Sequence, residues 1–345
     1  MKAVYINEQG DLDKLTYGNL PEPQPGPGQV LVRVRAAALN HLDVYARSGG
    51  NRTRVGPFPH ILGCDSAGEV AALGPGVEGA KVGQRVMVDY VIKCGTCDYC
   101  AIGLDELCRR SLRMGVDVAG GYAQYVKAPV QNVHPFPESM SFEEAASMPL
   151  VFHTAWHCLV TRARLRPGET VLINAAGSGV GSAAIQIARA LRSRVLVTAG
   201  SDAKIARARE LGAEGGVNYT TTPAFSGPIK EIAGGEGVDI VFDSVGTPVW
   251  EESFASIKRG GRFVTCGVTG GYLANLHLGR LFGQGISVMG SGGRSRREFA
   301  DFMRLVNAGA LRGVVARVFP LEEAAEAHRL MESRDFFGKI VLRIP

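Results

Sequence analysis

Four cysteines crowd into one short segment of the chain, with the spacing Cys94-x-x-Cys97-x-x-Cys100-x7-Cys108. Thiolates at this spacing can wrap a tetrahedral zinc ion, which deprotonates each thiol that it binds. An iron–sulfur cluster is the competing interpretation, and the absence of other cluster motifs weakens it. Because four protein ligands leave no open coordination position, we predict one structural zinc ion per chain.

A glycine-rich turn lies between a buried strand, VLINAAG, and a helix, SAAIQIARAL. Small residues there let a pyrophosphate approach the backbone and meet the N-terminus of the helix. The strict G-x-G-x-x-G spacing is absent, because Ser182 stands three residues beyond Gly179. The position between a strand and a helix, within a run of βαβ units, still predicts a dinucleotide site. Its candidate cofactor-binding residues are Ala176, Gly177, Ser178, Gly179, Val180 and Gly181.

The end of the second strand of this region indicates which dinucleotide binds. An NAD site places Asp or Glu there to bind the ribose 2′-hydroxyl, but this strand ends at Ala199. Ser201 and Lys204 follow, and they offer a hydroxyl and a charge to a 2′-phosphate. Asp202 argues against NADPH unless it is the N-cap of the next helix, a common position for Asp. We therefore predict NADPH as the cofactor, with Ser201 and Lys204 among its ligands.

The composition is typical of a two-domain globular enzyme. The chain has 345 residues, of which 46% are hydrophobic and 21% charged, and its 45 glycines suit a protein with many tight turns. The net charge of +5 is scattered, and the densest basic cluster, Arg294, Arg296 and Arg297, is too short for a nucleic-acid surface. The N-terminus lacks the apolar run of a signal peptide, and no stretch of eighteen apolar residues occurs. We therefore predict a cytoplasmic protein with no nucleic-acid or membrane partner.

Two patterns of secondary structure divide the chain. From Met1 to about Val133, short alternating strands between Gly/Pro clusters predict a small β-barrel or sandwich. The S-x-x-E capping box at Ser141 predicts a helix that runs to near Val160. Strands then alternate with helices, which predicts βαβ units and a parallel sheet. We expect the two helices and two strands after Ser291 to return and complete the first domain.

With these features, the chain resembles the medium-chain dehydrogenase/reductase superfamily along essentially its whole length. The specific matches are AALNHLDVYARSG, LGCDSAGEV, the four-cysteine lobe, INAAGSGVGSAAIQIA and FGKIVL. It is most similar to the quinone-oxidoreductase-like and zinc-type alcohol dehydrogenase-like branch. The resemblance implies an α/β protein with a GroES-like, β-rich catalytic domain, residues 1–135 and 292–345, that carries the zinc lobe at 94–108. It also implies a doubly wound, parallel-sheet Rossmann domain at 136–291, with hydride transfer in the cleft between the domains.

Alcohol dehydrogenases of this superfamily also hold a catalytic zinc ion, and its ligand positions are altered here. The matching residues are Asn40, Cys64, Asp65 and Leu150. An amide replaces the first thiolate, and a thiol replaces the imidazole. Cys64 and Asp65 with His41 or His153 remain an alternative, unusual metal site. Without a Lewis acid, alcohol oxidation loses the stabilisation of its alkoxide, whereas reduction of a quinone or an activated double bond needs less.

The resemblance further implies contacts to substrate and cofactor. Asn40 and Tyr45 match positions that line the cleft in quinone-oxidoreductase-like relatives, where they could hydrogen-bond a substrate carbonyl. The alternative for Tyr45 is a packed aromatic ring with a satisfied hydroxyl. Tyr219 matches a position that packs near the 2′-phosphate in NADPH-using relatives. Further candidate cofactor-binding residues are Thr154, Gly267, Val268 and Lys339.

Three functions follow as hypotheses. The leading one is an NADPH-dependent oxidoreductase that transfers hydride to a quinone, an enone or a related conjugated carbonyl. The second is a zinc-dependent alcohol dehydrogenase with an altered catalytic site, and the third is a non-catalytic nucleotide-sensing homologue. The resemblance also implies a homodimer or homotetramer, and pairing of sheet edges near residues 286–290 is expected to form it.

Overall fold

The structure, a computed structural model, describes all 345 residues and divides them into two compact units. The first unit comprises Met1–Leu150 and Ser295–Pro345, and the second comprises Val151–Arg294. The first boundary therefore lies at Leu150, whereas the sequence placed it at residue 135. No helix has the length and apolar character that crossing a membrane requires.

The N-terminal part of the first unit is built from short strands, as the alternating pattern predicts. In chain order these are β1 (Lys2–Ile6), β2 (Thr16–Asn19), β3 (Gln29–Ala38), β4 (His60–Ile61), β5 (Asp65–Leu73), β6 (Arg85–Val88), β7 (Val91–Ile92), β8 (Leu112–Arg113), β9 (Tyr125–Pro129) and β10 (Val133–Pro135). The helices are α1 (His41–Ser48), α2 (Asp98–Ala101) and α3 (Phe142–Ala146).

Strand β3 organises the main sheet of the first unit. It pairs antiparallel with both β5 and β9, and Val32 and Val34 on it are completely buried while Arg33 between them is exposed. The close approach of β3 and β5 requires glycine at position 68, because a Cβ there would lie 2.0 Å from the carbonyl oxygen of Arg33. A three-stranded sheet, β2-β1-β4, and the two-stranded β7-β8 complete this part.

The second unit is a parallel sheet covered by helices. Its strands are β11 (Thr170–Ile173), β12 (Arg194–Ala199), β13 (Gly215–Asn218), β14 (Val238–Asp243), β15 (Ile257–Thr265) and β16 (Ser287–Gly290). Its helices are α4 (Pro149–Trp156), which begins at the unit boundary, α5 (Gly179–Ala190), α6 (Asp202–Glu210), α7 (Ser226–Ala233), α8 (Trp250–Ala255) and α9 (Leu278–Gly283). The strand order, β13-β12-β11-β14-β15-β16, is that of a Rossmann fold.

The predicted helix from Ser141 to near Val160 is interrupted. The capping box of Ser141 and Glu144 forms, but α3 ends at Ala146. Pro149 opens α4 instead, because proline has no N–H for a helical hydrogen bond and fits the first turn. After α4 the backbone widens into a π-helix, His157–Arg162.

The C-terminal segment returns to the first unit. Its elements are α10 (Arg296–Asn307), β17 (Val315–Pro320), α11 (Ala324–Ser333) and β18 (Lys339–Arg343). Strand β18 pairs antiparallel with β3 and parallel with β17. Arg343 donates to Glu143 and Arg312 donates to Glu144, so the tail also holds α3. These contacts explain why α3 belongs to the first unit.

The core of the first unit contains a histidine that is buried without charge. His328 on α11 is fully buried, and its ring lies edge-on to Tyr122 with 6.0 Å between the ring centroids. Burial, and secondarily the charge of Arg47, lowers the pKa of His328 to about 3. In the unfolded chain this pKa returns to about 6.5.

We predict an acid-dependent loss of stability from His328. Its folded pKa lies below its unfolded pKa, so its contribution is complete above about pH 6.5 and is lost as the pH falls towards 3. The free energy of unfolding should decline by up to about 1.4 kcal/mol per pH unit for this one group. Urea unfolding at about pH 7 and about pH 5 measures this decline, and His328→Leu should make it shallower. Equal declines in the two proteins would contradict the assignment.

Candidate functional site

The four predicted zinc ligands converge. The Sγ atoms of Cys94, Cys97, Cys100 and Cys108 all lie within 4.8 Å of one another. The Cys94–Cys108, Cys94–Cys100 and Cys97–Cys108 sulfur distances are 3.5, 3.9 and 4.0 Å. Zn–S bonds of about 2.3 Å in a tetrahedron place sulfurs about 3.8 Å apart. The cluster therefore has the dimensions of a four-thiolate zinc site, and no other group of three or more His, Cys, Asp or Glu side chains converges in the chain.

The pKa values of the thiols differ within the cluster. Backbone N–H groups, first that of Thr96, lower the pKa of Cys94 to about 5. Burial and the neighbouring Cys97 thiol raise the pKa of Cys100 to about 12. Four thiolates this close repel one another, and a divalent cation relieves that repulsion.

The C-terminal segment fixes the cysteine lobe to the first unit. Arg296, at the start of α10, donates its backbone N–H to Asp105 Oδ2 at 3.2 Å. Its guanidinium donates to the carbonyl oxygen of Lys93 at 2.9 Å. Both partners lie within the lobe or directly before it. The lobe is thus held by residues about 200 positions away in the chain.

The predicted catalytic residues Asn40 and Asp65 form a buried cluster with Lys339. The Lys339 ammonium donates to three oxygens: Leu39 O and Asn40 Oδ1, both at 2.6 Å, and Asp65 Oδ2 at 3.1 Å. Lys339 is 3% exposed and Asp65 is fully buried. The sequence placed Lys339 in the cofactor site, but all three of its N–H groups are engaged within the first unit.

Hydrogen bonds in this cluster also occupy the amide of Asn40. Its Nδ2 donates to Asp65 Oδ2 at 3.0 Å, and its Oδ1 accepts from Lys339. The other carboxylate oxygen of Asp65 accepts the backbone N–H of Leu150 at 2.9 Å. Asn40, Asp65 and Leu150 therefore lie together in one hydrogen-bond network, which includes the Lys339 ammonium.

Asp43 is a member of the cluster that sequence reasoning missed. It accepts the backbone N–H groups of Asn40 and Cys64 at 2.8 and 3.0 Å. Burial raises its pKa to about 6, although the Asn40 hydrogen bond opposes this. Burial also raises the pKa of the Cys64 thiol well above its ordinary value. The signal in the sequence was the N-x-x-D spacing at residues 40–43, which is a capping box for α1.

Tyr45 lies on the same helix, one turn after His41. The two rings stack with centroids 6.5 Å apart, and both side chains are half-buried. Burial, followed by the charges of Arg334 and Lys339, lowers the pKa of His41 to about 4. The imidazole beside Tyr45 is therefore neutral at physiological pH.

The glycine-rich turn in the second unit joins β11 to α5. Ser178 is the N-cap of α5, and its hydroxyl oxygen accepts the Gly181 N–H at 2.9 Å. A Cβ at Gly181 would lie 2.5 Å from the carbonyl oxygen of Ala175, so only glycine fits. Gly177, Gly179, Val180 and the buried Ala176 complete the turn and the first helical residues. The first N–H groups of α5 have no partner within the helix, which suits an anionic pyrophosphate.

Side chains behind this turn hold the ends of three parallel strands together. Asn174, just after β11, donates to Asp243 at 3.2 Å and to Ser253 at 2.7 Å, and it accepts from Thr198 at 2.9 Å. Asp243, at the end of β14, also accepts the N–H groups of Val245 and Gly246. Sequence reasoning missed this network, whose signal was polar residues at the ends of buried strands.

The end of β12 carries the residues predicted to choose the cofactor. Ala199 is 1% exposed, and the N-cap of α6 is Ser201, which accepts the Lys204 N–H at 3.3 Å. The interpretation of Asp202 as the N-cap is therefore wrong. Asp202 instead accepts a hydrogen bond from Asn218 at 3.1 Å. Tyr219 packs beside Gly200, where a Cβ would lie 3.1 Å from its hydroxyl oxygen.

The remaining cofactor candidates of the second unit lie at two other places. Thr154 on α4 is buried, and its hydroxyl accepts two hydrogen bonds from the Arg294 guanidinium at 3.0 and 2.8 Å. Gly267 and Val268 follow β15, and a Cβ at Gly267 would lie 2.7 Å from the carbonyl oxygen of Ser244.

Comparison with known proteins identifies the family. A model described as "Alcohol dehydrogenase GroES-like domain" matches residues 26–138, and one described as "Zinc-binding dehydrogenase" matches residues 179–308. The chain is 32% identical over 350 residues to an NAD-dependent alcohol dehydrogenase of Sulfolobus acidocaldarius, with 100% of both chains covered. It is 31% identical over 343 residues to an acryloyl-coenzyme A reductase of Metallosphaera sedula, with 99% of each covered. A solved structure of an NAD-dependent alcohol dehydrogenase has 44% identity and a TM-score of 0.95, with 100% of both chains covered.

The chain therefore belongs to the medium-chain dehydrogenase/reductase superfamily. Within it, the chain is alcohol dehydrogenase-like, and its relatives are oxidoreductases. The predicted family, the GroES-like fold of the first unit and the parallel-sheet Rossmann fold of the second are confirmed.

We predict that the four-cysteine cluster binds one zinc ion with a structural role. Cys97→Ser should lower the zinc content and the thermal midpoint, because one thiolate ligand is lost. Plasma mass spectrometry and calorimetry measure the two quantities. Cys266→Ser, outside the lobe, is the matched control and should retain its zinc. Full zinc occupancy in Cys97→Ser would refute the assignment.

Proposed function

We propose that this protein is an NADPH-dependent reductase that transfers hydride to a conjugated carbonyl compound such as an enone, a quinone or an α,β-unsaturated thioester. One observation carries the proposal: the Lys339 ammonium lies among the residues that match the catalytic zinc ligands of alcohol dehydrogenases. Asn40 and Asp65 both turn their oxygens to this ammonium. A cation that is already part of the protein therefore takes the charge-balancing role of a metal there.

The donor chemistry of these positions argues against a catalytic zinc ion. Zinc prefers thiolate, imidazole and carboxylate ligands. Here Asn40 offers only an amide oxygen, and that oxygen already accepts a hydrogen bond from the Lys339 ammonium. Asp65 already accepts three hydrogen bonds, from Leu150, Asn40 and Lys339. Alcohol oxidation would lack the Lewis acid that stabilises its alkoxide.

Reduction of a double bond conjugated to a carbonyl has a different requirement. NADPH, when bound, supplies a hydride to the β-carbon, and a proton must reach the α-carbon or the carbonyl oxygen. The charge that develops on that oxygen needs a hydrogen-bond donor. Tyr45 is half-buried beside the neutral His41, and we assign its hydroxyl to this role. Asn40, which the sequence also suggested, has its amide engaged with Asp65 and Lys339 and acts as a positioning residue.

The relatives support an activated alkene as the substrate class. One of them is an acryloyl-coenzyme A reductase, and an acryloyl group is an alkene conjugated to a carbonyl. Others carry the name of alcohol dehydrogenases. The altered ligand positions favour the first kind of substrate for this chain.

The end of β12 supports NADPH over NADH. Ala199 provides neither a hydrogen bond to the ribose 2′-hydroxyl nor a repulsion against a 2′-phosphate. The carboxylate of Asp202 is turned to Asn218. Ser201, Lys204 and Tyr219 lie near this strand end, where they would offer a 2′-phosphate a hydroxyl, a positive charge and an aromatic edge.

We further propose that the protein forms a homo-oligomer through β16. This strand is at the end of its sheet, where its outer backbone groups are open to pairing. Val288 on it is 38% exposed, and Phe282 in α9 is 83% exposed. An apolar edge of this kind suits a symmetric contact between two copies.

Within the proposed function, the first prediction concerns catalysis. The protein should oxidise NADPH in the presence of an enone or an acryloyl thioester, and Tyr45→Phe should lower kcat/KM by about 10² to 10³, the loss typical of one oxyanion donor. Tyr17→Phe, at an exposed tyrosine of the first unit, is the matched control and should retain activity. Absorbance at the NADPH band measures the rate. Faster reduction of NADP⁺ by simple alcohols than oxidation of NADPH by any conjugated carbonyl would overturn the proposal.

The second prediction concerns cofactor choice. NADPH should bind about ten- to a hundredfold more tightly than NADH, and Lys204→Ala should remove most of that difference because a charge-assisted hydrogen bond is lost. Fluorescence quenching gives the dissociation constants. Lys81→Ala, at an exposed lysine of the first unit, should change neither. Equal affinities in the wild-type protein would show that the end of β12 does not select NADPH.

The third prediction concerns assembly. Light scattering at micromolar concentration should give the mass of a dimer or a tetramer. Val288→Lys should reduce that mass, because it places a charge on the edge strand. A wild-type monomer would contradict the proposed contact.

A further inference from the structure

A cavity of about 390 Å³ lies in the second unit, apart from the glycine-rich turn. One wall is the end of the π-helix and the loop that follows it, and the floor is formed by β15 and β16, where Arg262 pairs with Ser287. The lining residues are Thr161, Arg162, Ala163, Arg164, Arg166, Arg262, Ser287 and Met289. Four of these eight are arginines, and none is acidic.

The positive charge of this cavity exceeds what its surroundings neutralise. Glu169 is the acidic group recorded in contact with it: it forms an ion pair with Arg262 and accepts the backbone N–H of Arg166. Arg162 donates its Nε to the carbonyl oxygen of Gly290, which holds the side chain without neutralising it. Arg164 and Arg166 are exposed, and neither guanidinium has a hydrogen-bond partner in the structure. Four guanidinium groups thus face one carboxylate.

The backbone around the cavity adopts conformations that lower the stability of the fold. Arg164 has a left-handed backbone with φ of +51°, a conformation that disfavours side chains other than glycine. This turn presents the carbonyl oxygens of Ala163 and Arg164 to Nη1 of Arg262. The π-helix immediately before it is itself a rare and less stable form, which recurs at functional sites. The buried Nε of Arg262 has no hydrogen-bond partner.

We propose that this cavity binds a phosphate-bearing small molecule of the nucleotide class, separately from the nicotinamide cofactor. Guanidinium groups bind phosphate oxygens in pairs, and a phosphomonoester dianion matches the surplus of positive charge better than a single carboxylate does. The volume accommodates a phosphorylated sugar as well as the phosphate itself. Ser287 lies in the same lining, where its hydroxyl can hydrogen-bond a ribose.

Calorimetric titration of the full-length protein tests the proposal. The probe is adenosine 3′,5′-bisphosphate, added in the presence of saturating NADP⁺ so that the cofactor site is filled. We expect saturable binding of one molecule per chain. The double variant Arg164→Gln/Arg166→Gln should weaken it about a hundredfold, which is about tenfold for each lost charge-assisted contact. Lysines at the same two positions should restore part of the affinity, because they keep the charge and lose the planar fork.

The same titration measures the control variant and distinguishes the two possible sources of the phosphate. Arg192 is also exposed and left-handed, with φ of +60°, and does not line the cavity, so Arg192→Gln should bind as the wild type does. Inorganic phosphate is titrated in parallel: equal affinity for both probes assigns the site to free phosphate, and tighter binding of the bisphosphate assigns it to a nucleotide. The proposal is overturned if neither probe binds saturably, or if the double variant binds equally well. It is also overturned if the double variant changes the oligomeric mass alone, since the arginines would then serve a contact between copies.

Discussion

The buried contact of the Lys339 ammonium with Asp65 and Asn40 is the interaction on which the first unit depends. It joins three distant segments: β18 at the C-terminus, the turn between β3 and α1, and the start of β5. A buried carboxylate that loses its only charged partner destabilises a protein by about 3–5 kcal/mol. Through the other oxygen of Asp65, the same contact fixes the backbone at Leu150. The position of α1, and with it that of Tyr45, follows from this contact.

The second unit depends on a comparable hydrogen-bond network, which is centred on the uncharged amide of Asn174. Asn174, which follows β11, links the ends of β12 and β14 through Thr198 and Asp243, and it also donates to Ser253 in α8. Because the amide satisfies buried groups on each strand, the strand ends are held in one arrangement. Gly181 allows α5 to approach β11 closely, so the N-terminus of α5 has a defined position. The cofactor site that we propose thus rests on contacts that the cofactor itself does not make.

Sequence reasoning succeeded where the information is local. The four cysteines that converge lie within fifteen residues, and the glycine-rich turn lies between two elements that their own periodicity predicts. The interruption at Pro149 was not predicted, because the capping box at Ser141 favoured a single longer helix. The domain boundary was harder to place, because α3 is held by arginines about 170 and 200 residues away.

The partners of Lys339 could not be read from the sequence, because Asp65 and Asn40 lie 274 and 299 positions from it. The FGKIVL segment matches the family in sequence. That match does not show that Lys339 points to the residues at the altered zinc-ligand positions. Asp43 was missed for a related reason: on a short helix, an acidic residue is usually exposed. The cavity lined by four arginines is formed by the loop after the π-helix and by Arg262, about 100 residues further along the chain. Only the strand pairing of the second unit brings these two segments together.

In the function proposed for this protein, the Lys339 ammonium takes the place of a catalytic metal among Asn40, Cys64, Asp65 and Leu150. The zinc content of the purified wild-type protein, measured by plasma mass spectrometry against its amino-acid content, tests this most directly. We expect one zinc ion per chain, which is lost when the four-cysteine cluster is disrupted. Two zinc ions per chain, with the second retained in Cys97→Ser and lost in Asp65→Ala, would contradict it.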